Sequence, residues 1–131
     1  MEDTICIDTD ILADLLRKKD EAVQWFKNND NNSQLATTTI NLFELYYGSY
    51  RTANPEKSLE AVNSLADNLI ILTLNSESAR EAGKQLARLS SAGNIIDVKD
   101  ILIGSVALSS NCSLKTNNKK DFEKINGLKI I

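Results

Sequence analysis

The segment TICIDTDIL, residues 4–12, decides how the rest of the chain is interpreted. Residues 4–7 form a short, largely apolar run, which indicates a buried β-strand. Two carboxylates, Asp8 and Asp10, follow within three residues, and the next basic residue along the chain is Arg17. A buried strand that ends in two acids without a nearby cation predicts a binding site at its carboxyl end.

Length and composition limit the possible classes of protein. A chain of 131 residues has the size of one domain, so we expect a single domain over residues 1–131. The apolar share of 42% and the charged share of 25% are typical of a folded globular chain. No apolar run approaches the roughly 20 residues of a membrane span, and the acidic start is unlike a secretory signal. We therefore expect a cytoplasmic protein without a membrane partner.

The cysteine and histidine counts limit the kinds of catalytic and metal-binding site that the chain can form. Cys6 and Cys112 both lie in apolar stretches, so we expect them to be reduced and buried. The sequence contains no histidine, which excludes Ser-His-Asp and Cys-His nucleophiles and imidazole metal sites. Carboxylates are then the side chains most able to support catalysis, and their oxygen atoms favour binding of a hard divalent cation.

Strand-like and helix-like segments alternate along the chain. Strands are predicted at residues 4–7, 34–37, 69–74, 112–115 and 128–131. Helices are predicted over residues 11–16 and 20–28, from a cap at Thr38 or Thr39 to about Gly48, from Pro55 to Ala66, from a cap at Asn75 or Ser76 to Gly93, and from Asp97 to Leu108. This order predicts the α/β class, as a three-layer α/β/α sandwich around a mainly parallel sheet of about five strands.

Acids from four separate segments are expected at the carboxyl edge of this sheet, where open α/β sheets bind ligands. They are Asp8 after the first strand, Glu44 in the helix after the second strand, Asp100 in the helix that begins near Asp97, and Asp121 after the fourth strand. Each acid by itself also fits a simpler role, such as a helix cap for Asp97 or a surface charge for Asp121.

Taken together, these acids predict a metal site. Carboxylates held close together repel one another, and protons, basic side chains or a cation must relieve that repulsion. The four segments contain few bases, so Mg²⁺ or Mn²⁺ is the natural counter-ion. Such sites suit phosphodiester hydrolysis, in which negative charge develops on the phosphate oxygens.

Four motifs give the chain a family resemblance. They are CIDTDIL (residues 6–12), TTTINLFELYYG (37–48), GNIIDVKDILIGSVAL (93–108) and LKTNNKKDFEKINGLKI (114–130). In this order and spacing they resemble the PIN-domain ribonucleases, in particular the VapC toxins of VapBC toxin–antitoxin systems. The resemblance covers nearly the full chain and implies a PIN fold.

The resemblance also implies roles for particular residues. Asp8, Glu44, Asp100 and Asp121 match the acidic quartet of the family; Asp8 and Asp100 would bind the metal directly, and Glu44 and Asp121 partly through water. Supporting positions implied by the match are Thr9, Asp10, Thr39, Asp97 and Asn118. Asp10 stands where many relatives have Asn or Ser, which suggests a supporting or capping role. Asp97 stands where many relatives have Gly or Pro, which makes a role in metal binding doubtful.

The implied activity is Mg²⁺- or Mn²⁺-dependent endonucleolytic cleavage of single-stranded RNA, either tRNA or ribosomal RNA. The implied partners are a second copy of the chain and a VapB-like antitoxin that inserts a cationic side chain among the acids. The three tyrosines Tyr46, Tyr47 and Tyr50 fall within about one helical turn, so they cannot all face a core and at least one indicates an interface.

The sequence excludes two other protein classes and leaves two alternatives within the PIN-domain family open. A receiver domain needs an aspartate at the end of the third strand, where this chain has LTLN, and a haloacid-dehalogenase phosphatase needs a Gly-Asp motif that is missing. A PIN-domain nuclease in RNA processing or DNA repair without an antitoxin fits the same motifs. A catalytically silent PIN interaction module also fits, and it would bind Mn²⁺ poorly.

Overall fold

Strands and helices alternate in the computed structural model, which describes residues 3–131. The strands are β1 (Asp3–Ile7), β2 (Ser33–Thr38), β3 (Ile70–Leu72) and β4 (Ser113–Lys115). The helices are α1 (Thr9–Leu16), α2 (Asp20–Asn29), α3 (Thr39–Tyr50), α4 (Pro55–Ala66), α5 (Ser76–Ser91), α6 (Val98–Ser109) and α7 (Lys119–Phe122). Residues 1 and 2 of the expected single domain lie outside the described residues.

The sheet has the order β3-β2-β1-β4, and its strands are parallel. Cys6 in the central strand pairs with Ala36 of β2 and with Leu114 of β4. Its neighbours Ile5 and Ile7 point to the opposite face, because successive strand residues alternate between the two faces. Both faces of β1 are therefore buried, as expected for a parallel sheet between two layers of helices.

Two apolar clusters make these layers. Ile5 and Ile7 pack with buried side chains of α1, α3 and α4, whereas Cys6 packs with buried side chains of α5, α6 and α7. The three-layer α/β/α prediction is thus confirmed. Both cysteines are free and buried, as expected. No helix within residues 3–131 is both long and apolar enough to cross a membrane.

The prediction of a fifth strand at residues 128–131 is wrong. Within the described residues this segment makes a single parallel bridge, Leu114 to Ile130, beside the four-stranded sheet. Gly127 adopts a φ of +88°, so the chain is still turning just before the segment. Extended pairing begins only at Lys129, whose carbonyl accepts from the Leu114 amide at 2.8 Å. The short helix α7, which carries Asp121, was also not predicted.

The helix caps follow the sequence signals closely. Thr38 caps α3 and Asn75 caps α5, and each forms a reciprocal capping box with the third residue of its helix. Asp97 caps α6. Gly93 has a φ of +78° just after α5, a backbone conformation that favours glycine at a helix end. Three of the predicted helix starts and one predicted end are therefore confirmed.

The strand order fixes where a ligand can approach. From β1 the chain passes to β2 on one side, and it returns to place β4 on the other side. Such a reversal of strand order opens a crevice at the carboxyl ends of the two flanking strands. The segments after β1 and after β4, which carry Asp8 and Asp121, border this crevice.

Candidate functional site

Asp8 is buried and held by three parts of the chain. It follows β1 and caps α1, with only 7% of its surface exposed. Its Oδ1 accepts from the Thr9 amide at 2.9 Å and from the Asn41 side-chain amide at 3.1 Å. Its Oδ2 accepts from the Thr116 hydroxyl at 2.7 Å. These hydrogen bonds fix the carboxylate in one orientation and leave part of Oδ2 free to bind a further group.

Burial is the main reason that the pKa of Asp8 is raised above its ordinary value. The negative charges of Asp10 and Glu44 raise it further, while the hydrogen bonds from Thr116 and from the Thr9 amide act in the opposite direction. The hydrogen bonds to Asp8 therefore favour its ionised form, whereas its burial and its acidic neighbours favour the protonated form.

Glu44 lies in α3, about one and a half turns after the cap at Thr38. Its Oε1 accepts from the Thr9 hydroxyl at 2.8 Å, and Thr9 in turn accepts from the Asn41 amide at 2.9 Å. Its Oε2 lies 3.5 Å from the Nζ of Lys99. Glu44 is thus connected to the first acid through a hydrogen-bond chain and to α6 through a lysine.

Asp100 lies within electrostatic range of the other three predicted acids. Burial raises the pKa of this carboxyl to about 6, and nearby negative charges contribute to the rise. Those charges belong, in decreasing order of effect, to Asp8, Asp97, Asp121 and Glu44. Because Coulomb interactions fall with distance, the carboxylates of Asp8, Glu44 and Asp121 lie near enough to the first turn of α6 to influence Asp100, although among residues 3–131 they form no ready-made cation site.

Asp121 forms the outer side of the site. Its Oδ2 accepts from the Asn118 side-chain amide at 3.1 Å, and its Oδ1 lies 3.8 Å from the Nζ of Lys124. The Asp121 side chain is 43% exposed, far more than Asp8. The backbone amide of Asn118 also donates to the Thr116 hydroxyl at 3.0 Å, so Asn118 links the first and the fourth acid.

Three other predicted supporting residues, Asp10, Asp97 and Thr39, have different surroundings in the structure. Asp10 accepts from the Asn117 amide at 3.1 Å and from the Ile11 amide at 2.7 Å, so it ties α1 to the loop after β4. Asp97 accepts from the Lys99 amide at 2.8 Å, which is the contact of a helix cap. Thr39 is exposed at the start of α3 and lies beside the aromatic residues of that helix.

Sequence reasoning missed two residues that bind the first acid. Asn41 is fully buried; its Oδ1 accepts from the backbone amide and the hydroxyl of Thr38, and its amide donates to Asp8 and Thr9. Thr116 is equally buried and donates to Asp8. The spacing of Thr38 and Asn41 signals a capping box, but it does not reveal the contact with Asp8 across the sheet.

Positive charge is distributed unevenly over the site. Glu44 and Asp121 each have a lysine within 4 Å, whereas in the described part of the chain Asp8 and Asp100 have no Lys or Arg at that distance. As arranged here, no three Cys, Asp or Glu side chains among residues 3–131 form a ready-made cation site. The donor set still fits a hard divalent ion, because all of its acids offer oxygen ligands and two of them lack a counter-charge.

Comparison with known proteins agrees with this arrangement. Residues 5–128 match the family model described as PIN domain. The chain belongs to the PIN domain family. This PIN domain is 29% identical over 124 residues to "Ribonuclease VapC2" of Haemophilus influenzae, which covers 94% of this chain and 92% of the relative. It is also 29% identical to "tRNA(fMet)-specific endonuclease VapC" of Salmonella typhimurium, with 95% and 93% of the two chains covered.

A solved structure supports the same fold for this PIN domain. A chain of the VapBC2 complex from Rickettsia felis, determined with a DNA fragment from its promoter, superposes with a TM-score of 0.91. The sequence identity is 26%, and the match covers 98% of this chain and 97% of the other. The resemblance to VapC proteins noted from the sequence is thereby confirmed.

Proposed function

We propose that the chain is a Mg²⁺- or Mn²⁺-dependent endoribonuclease that cleaves single-stranded RNA, either tRNA or ribosomal RNA, as the toxin of a VapBC-type system in the cytoplasm. The observation that carries the proposal is the buried Asp8 carboxylate, which Asn41 and Thr116 hold in place and which Thr9 links to Glu44, with Asp100 close enough to feel its charge. The names of the relatives, which are ribonucleases of the VapC type, support the same activity.

Asp8 and Asp100 are proposed as the direct metal ligands, because among residues 3–131 these two acids have no Lys or Arg within 4 Å. Glu44 and Asp121 complete the set when they turn away from Lys99 and Lys124. When bound, the cation supplies positive charge for phosphate oxygens and eases the deprotonation of water. Exposed ion pairs contribute little free energy, so releasing the two lysines costs about 1 kcal/mol or less for each pair.

The remaining chemistry falls to side chains of the chain itself. Glu44 can accept a proton from the attacking water once Lys99 has moved away, because Lys99 otherwise occupies its Oε2. Thr9 holds the other oxygen at 2.8 Å and so keeps the carboxylate beside Asp8. Lys99, once free of Glu44, can contact the phosphate of the substrate.

Cleavage-site mapping on total RNA tests the activity. The chain is incubated with RNA in Mg²⁺ and in EDTA, and Asp8→Asn serves as the control for a contaminating nuclease. We expect discrete cuts in tRNA or ribosomal RNA that require Mg²⁺ and disappear in the variant. Cuts of equal yield in EDTA, or from Asp8→Asn, would contradict the proposal.

Thermal unfolding tests the metal independently of activity. A ligand that binds only the folded chain stabilises it by RT ln(1 + [L]/Kd), so millimolar Mn²⁺ should raise the melting temperature. Asp100→Asn should reduce this rise. A wild-type melting temperature that does not respond to Mn²⁺ would instead favour a silent PIN interaction module.

An antitoxin of the VapB type is proposed as the physiological inhibitor. A groove of about 680 Å³ lies between α1, α3 and α4, and it is lined by Leu16, Leu45 and Val62 as well as by Thr9 and Glu44. A peptide in this groove can place a cation at the acids while it buries apolar side chains. Co-purification with the product of a neighbouring gene, together with loss of cleavage in the complex, tests this partner.

A homodimer is part of the same proposal. Phe43, Tyr47 and Tyr50 on α3 are 59%, 57% and 68% exposed, and they form an apolar surface of the kind that interfaces use. The mass in solution, measured by light scattering, should be twice that of the chain. Tyr50→Asp should shift it toward the monomer, and a wild-type monomer at micromolar concentration would contradict the dimer.

A further inference from the structure

A second cavity adjoins the acidic site on the other side of the loop after β4. It has a volume of about 370 Å³ and lies between α1, the first half of α2 and the end of β4. Apolar side chains line it from Ile11, Ala22 and Trp25, and polar ones from Lys115 and Asn117. Because Ile11 follows β1 and Lys115 ends β4, the cavity opens at the crevice where the strand order reverses.

Two hydrogen bonds connect this cavity to the acids. The Asn117 amide donates to Oδ2 of Asp10 at 3.1 Å. The preceding residue, Thr116, donates through its hydroxyl to Asp8 at 2.7 Å. The loop at residues 116–118 thus has the carboxylate site on one side and the cavity on the other. A polymer that crosses this loop can contact both at once.

Trp25 supplies a flat surface in the cavity. It is partly buried, and the edge of its ring system meets Phe26 at 5.5 Å between centroids and an interplanar angle of 77°. The Nζ of Lys115 lies 5.5 Å from the centroid of the Trp25 ring, in a cation–π contact. The ring therefore packs against Phe26 and against the apolar cluster that contains Ile5 and Ile7, and the Lys115 ammonium lies over one of its faces.

The charged and polar side chains that line the cavity indicate which kind of ligand it can bind. Lys19 pairs with Asp14 at 3.3 Å, which leaves Lys115 and Asn117 as donors and Asp20 and Glu21 as acceptors. The carboxylates disfavour a phosphate inside the cavity, and a purely apolar ligand would offer no partner to Lys115 or Asn117. A flat aromatic ring with donors and acceptors along its edge satisfies both Trp25 and this lining.

We propose that the cavity binds an unpaired nucleobase of the RNA substrate, stacked on Trp25 beside the site of cleavage. This inference rests on the proposed ribonuclease function. The base takes the ring face that Lys115 covers, and the Lys115 ammonium is then free to contact a phosphate of the same strand. Asn117 offers both a donor and an acceptor to the edge of the base. A paired base cannot enter, which accounts for a preference for single strands.

Trp25 is the single tryptophan of the chain, so tryptophan emission, excited selectively over that of the three tyrosines, reports on this cavity. The wild-type chain in EDTA is titrated with a single-stranded RNA 12-mer of mixed sequence, with an abasic oligonucleotide of the same length, and with a duplex. We expect saturable quenching by the single strand and little change with the other two. The anisotropy of end-labelled RNA measures binding in parallel.

Variants test whether the ring contributes to affinity. Stacking of one base contributes roughly 1–3 kcal/mol, so Trp25→Ala should weaken RNA binding about tenfold or more while the response to Mn²⁺ is unchanged. Trp25→Phe should recover most of the affinity. Lys115→Ala is compared with Lys84→Ala, because Lys84 lines a cavity of similar size, about 350 Å³, with mixed charges and no aromatic ring. We expect only Lys115→Ala to reduce affinity.

Three results would overturn the inference. They are RNA binding seen by anisotropy without quenching, equal quenching by the abasic strand, and quenching by a co-purified antitoxin but not by RNA. If the chain cleaves RNA in Mg²⁺ while Trp25→Ala binds RNA normally, the inference fails and the proposed function stands. If the chain neither cleaves nor binds RNA, both fail.

Discussion

The inner and the outer acids of the site differ in what surrounds them. Asp8 is buried and held by hydrogen bonds, and the pKa of Asp100 is raised to about 6 by burial and by its acidic neighbours. Glu44 and Asp121 are more exposed than Asp8, and each lies within 4 Å of a lysine. Within the predicted quartet, the acids without a nearby base among residues 3–131 are therefore the inner pair. The proposed cation would gain most there, while the outer pair could exchange its lysines at little cost.

The largest expected effect comes from removing an inner charge. Asp8→Asn and Asp100→Asn should each lower RNA cleavage more than about a hundredfold, since losing even a supporting residue of a metal site costs 10–100-fold. Both variants should remain folded without metal. For Asp8→Asn this holds because the Thr116 hydroxyl can reverse and accept from the new amide.

Initial cleavage rates in Mg²⁺ and melting curves in EDTA measure these two properties. Glu44→Gln and Asp121→Asn are the matched comparison from the outer pair, and we expect smaller losses from them. If the outer variants lost more activity than the inner ones, the division into two pairs would be wrong.

The next largest effect tests how Asp8 is held. Asn41 and Ser78 occupy the same position in the capping boxes of α3 and α5, but only Asn41 contacts an acid of the site. Loss of a capping side chain costs about 1 kcal/mol, so Asn41→Ala and Ser78→Ala should both lower stability by at least this amount. Only Asn41→Ala should also weaken Mn²⁺ affinity and cleavage, by about 10–100-fold.

Titration calorimetry with Mn²⁺ and chemical denaturation separate these two contributions. Asn41→Asp is a useful third variant, because it keeps the oxygen that accepts from Thr38 but loses the donor to Asp8. Equal Mn²⁺ affinity in all three variants and the wild type would show that Asn41 serves the helix alone.

A moderate effect is expected from pH. The pKa of Asp100 is about 6 in the folded chain and near its ordinary value of 3.8 in the unfolded chain. The folded state thus binds this proton more tightly, and metal-free stability falls as pH rises from about 4 to about 6. Allowing for solvent screening of a partly exposed group, the loss is about 1 kcal/mol.

Denaturation of the wild type and Asp100→Asn in EDTA across this pH range measures the effect. The free energy of unfolding of the variant should exceed that of the wild type above about pH 6, and the difference should vanish near pH 4. A difference independent of pH would mean that Asp100 does not carry the repulsion.

The smallest effect should come from the lysines of the outer pair. Lys99→Gln removes the cation beside Glu44, and Lys124→Gln removes the cation beside Asp121. Stability should change by about 0.5 kcal/mol or less, because these pairs are partly exposed. Mn²⁺ affinity should rise a few-fold when the competing ammonium is lost. A fall in Mn²⁺ affinity would show that the lysines support the site rather than compete for it.

The sequence by itself indicated most of the helices and strands and the position of the first acid. Buried runs such as residues 4–7, caps such as Thr38 and Asn75, and the turn at Gly93 depend on contacts between residues near one another in the chain. Such features can therefore be predicted from the local sequence. The four acidic positions were likewise predicted from the order of segments and from the resemblance to PIN-domain proteins, and their role stays a prediction.

Only the tertiary structure decided what each acid contacts. Asn41 and Thr116 reach Asp8 across separations of 33 and 108 residues, and Lys99 of α6 reaches Glu44 of α3. The cavity proposed to bind a nucleobase likewise joins Trp25 of α2 to Lys115 of β4. No local pattern encodes such contacts, because they exist only once parallel pairing has set β4 beside β1 and the helices have packed on both faces of the sheet.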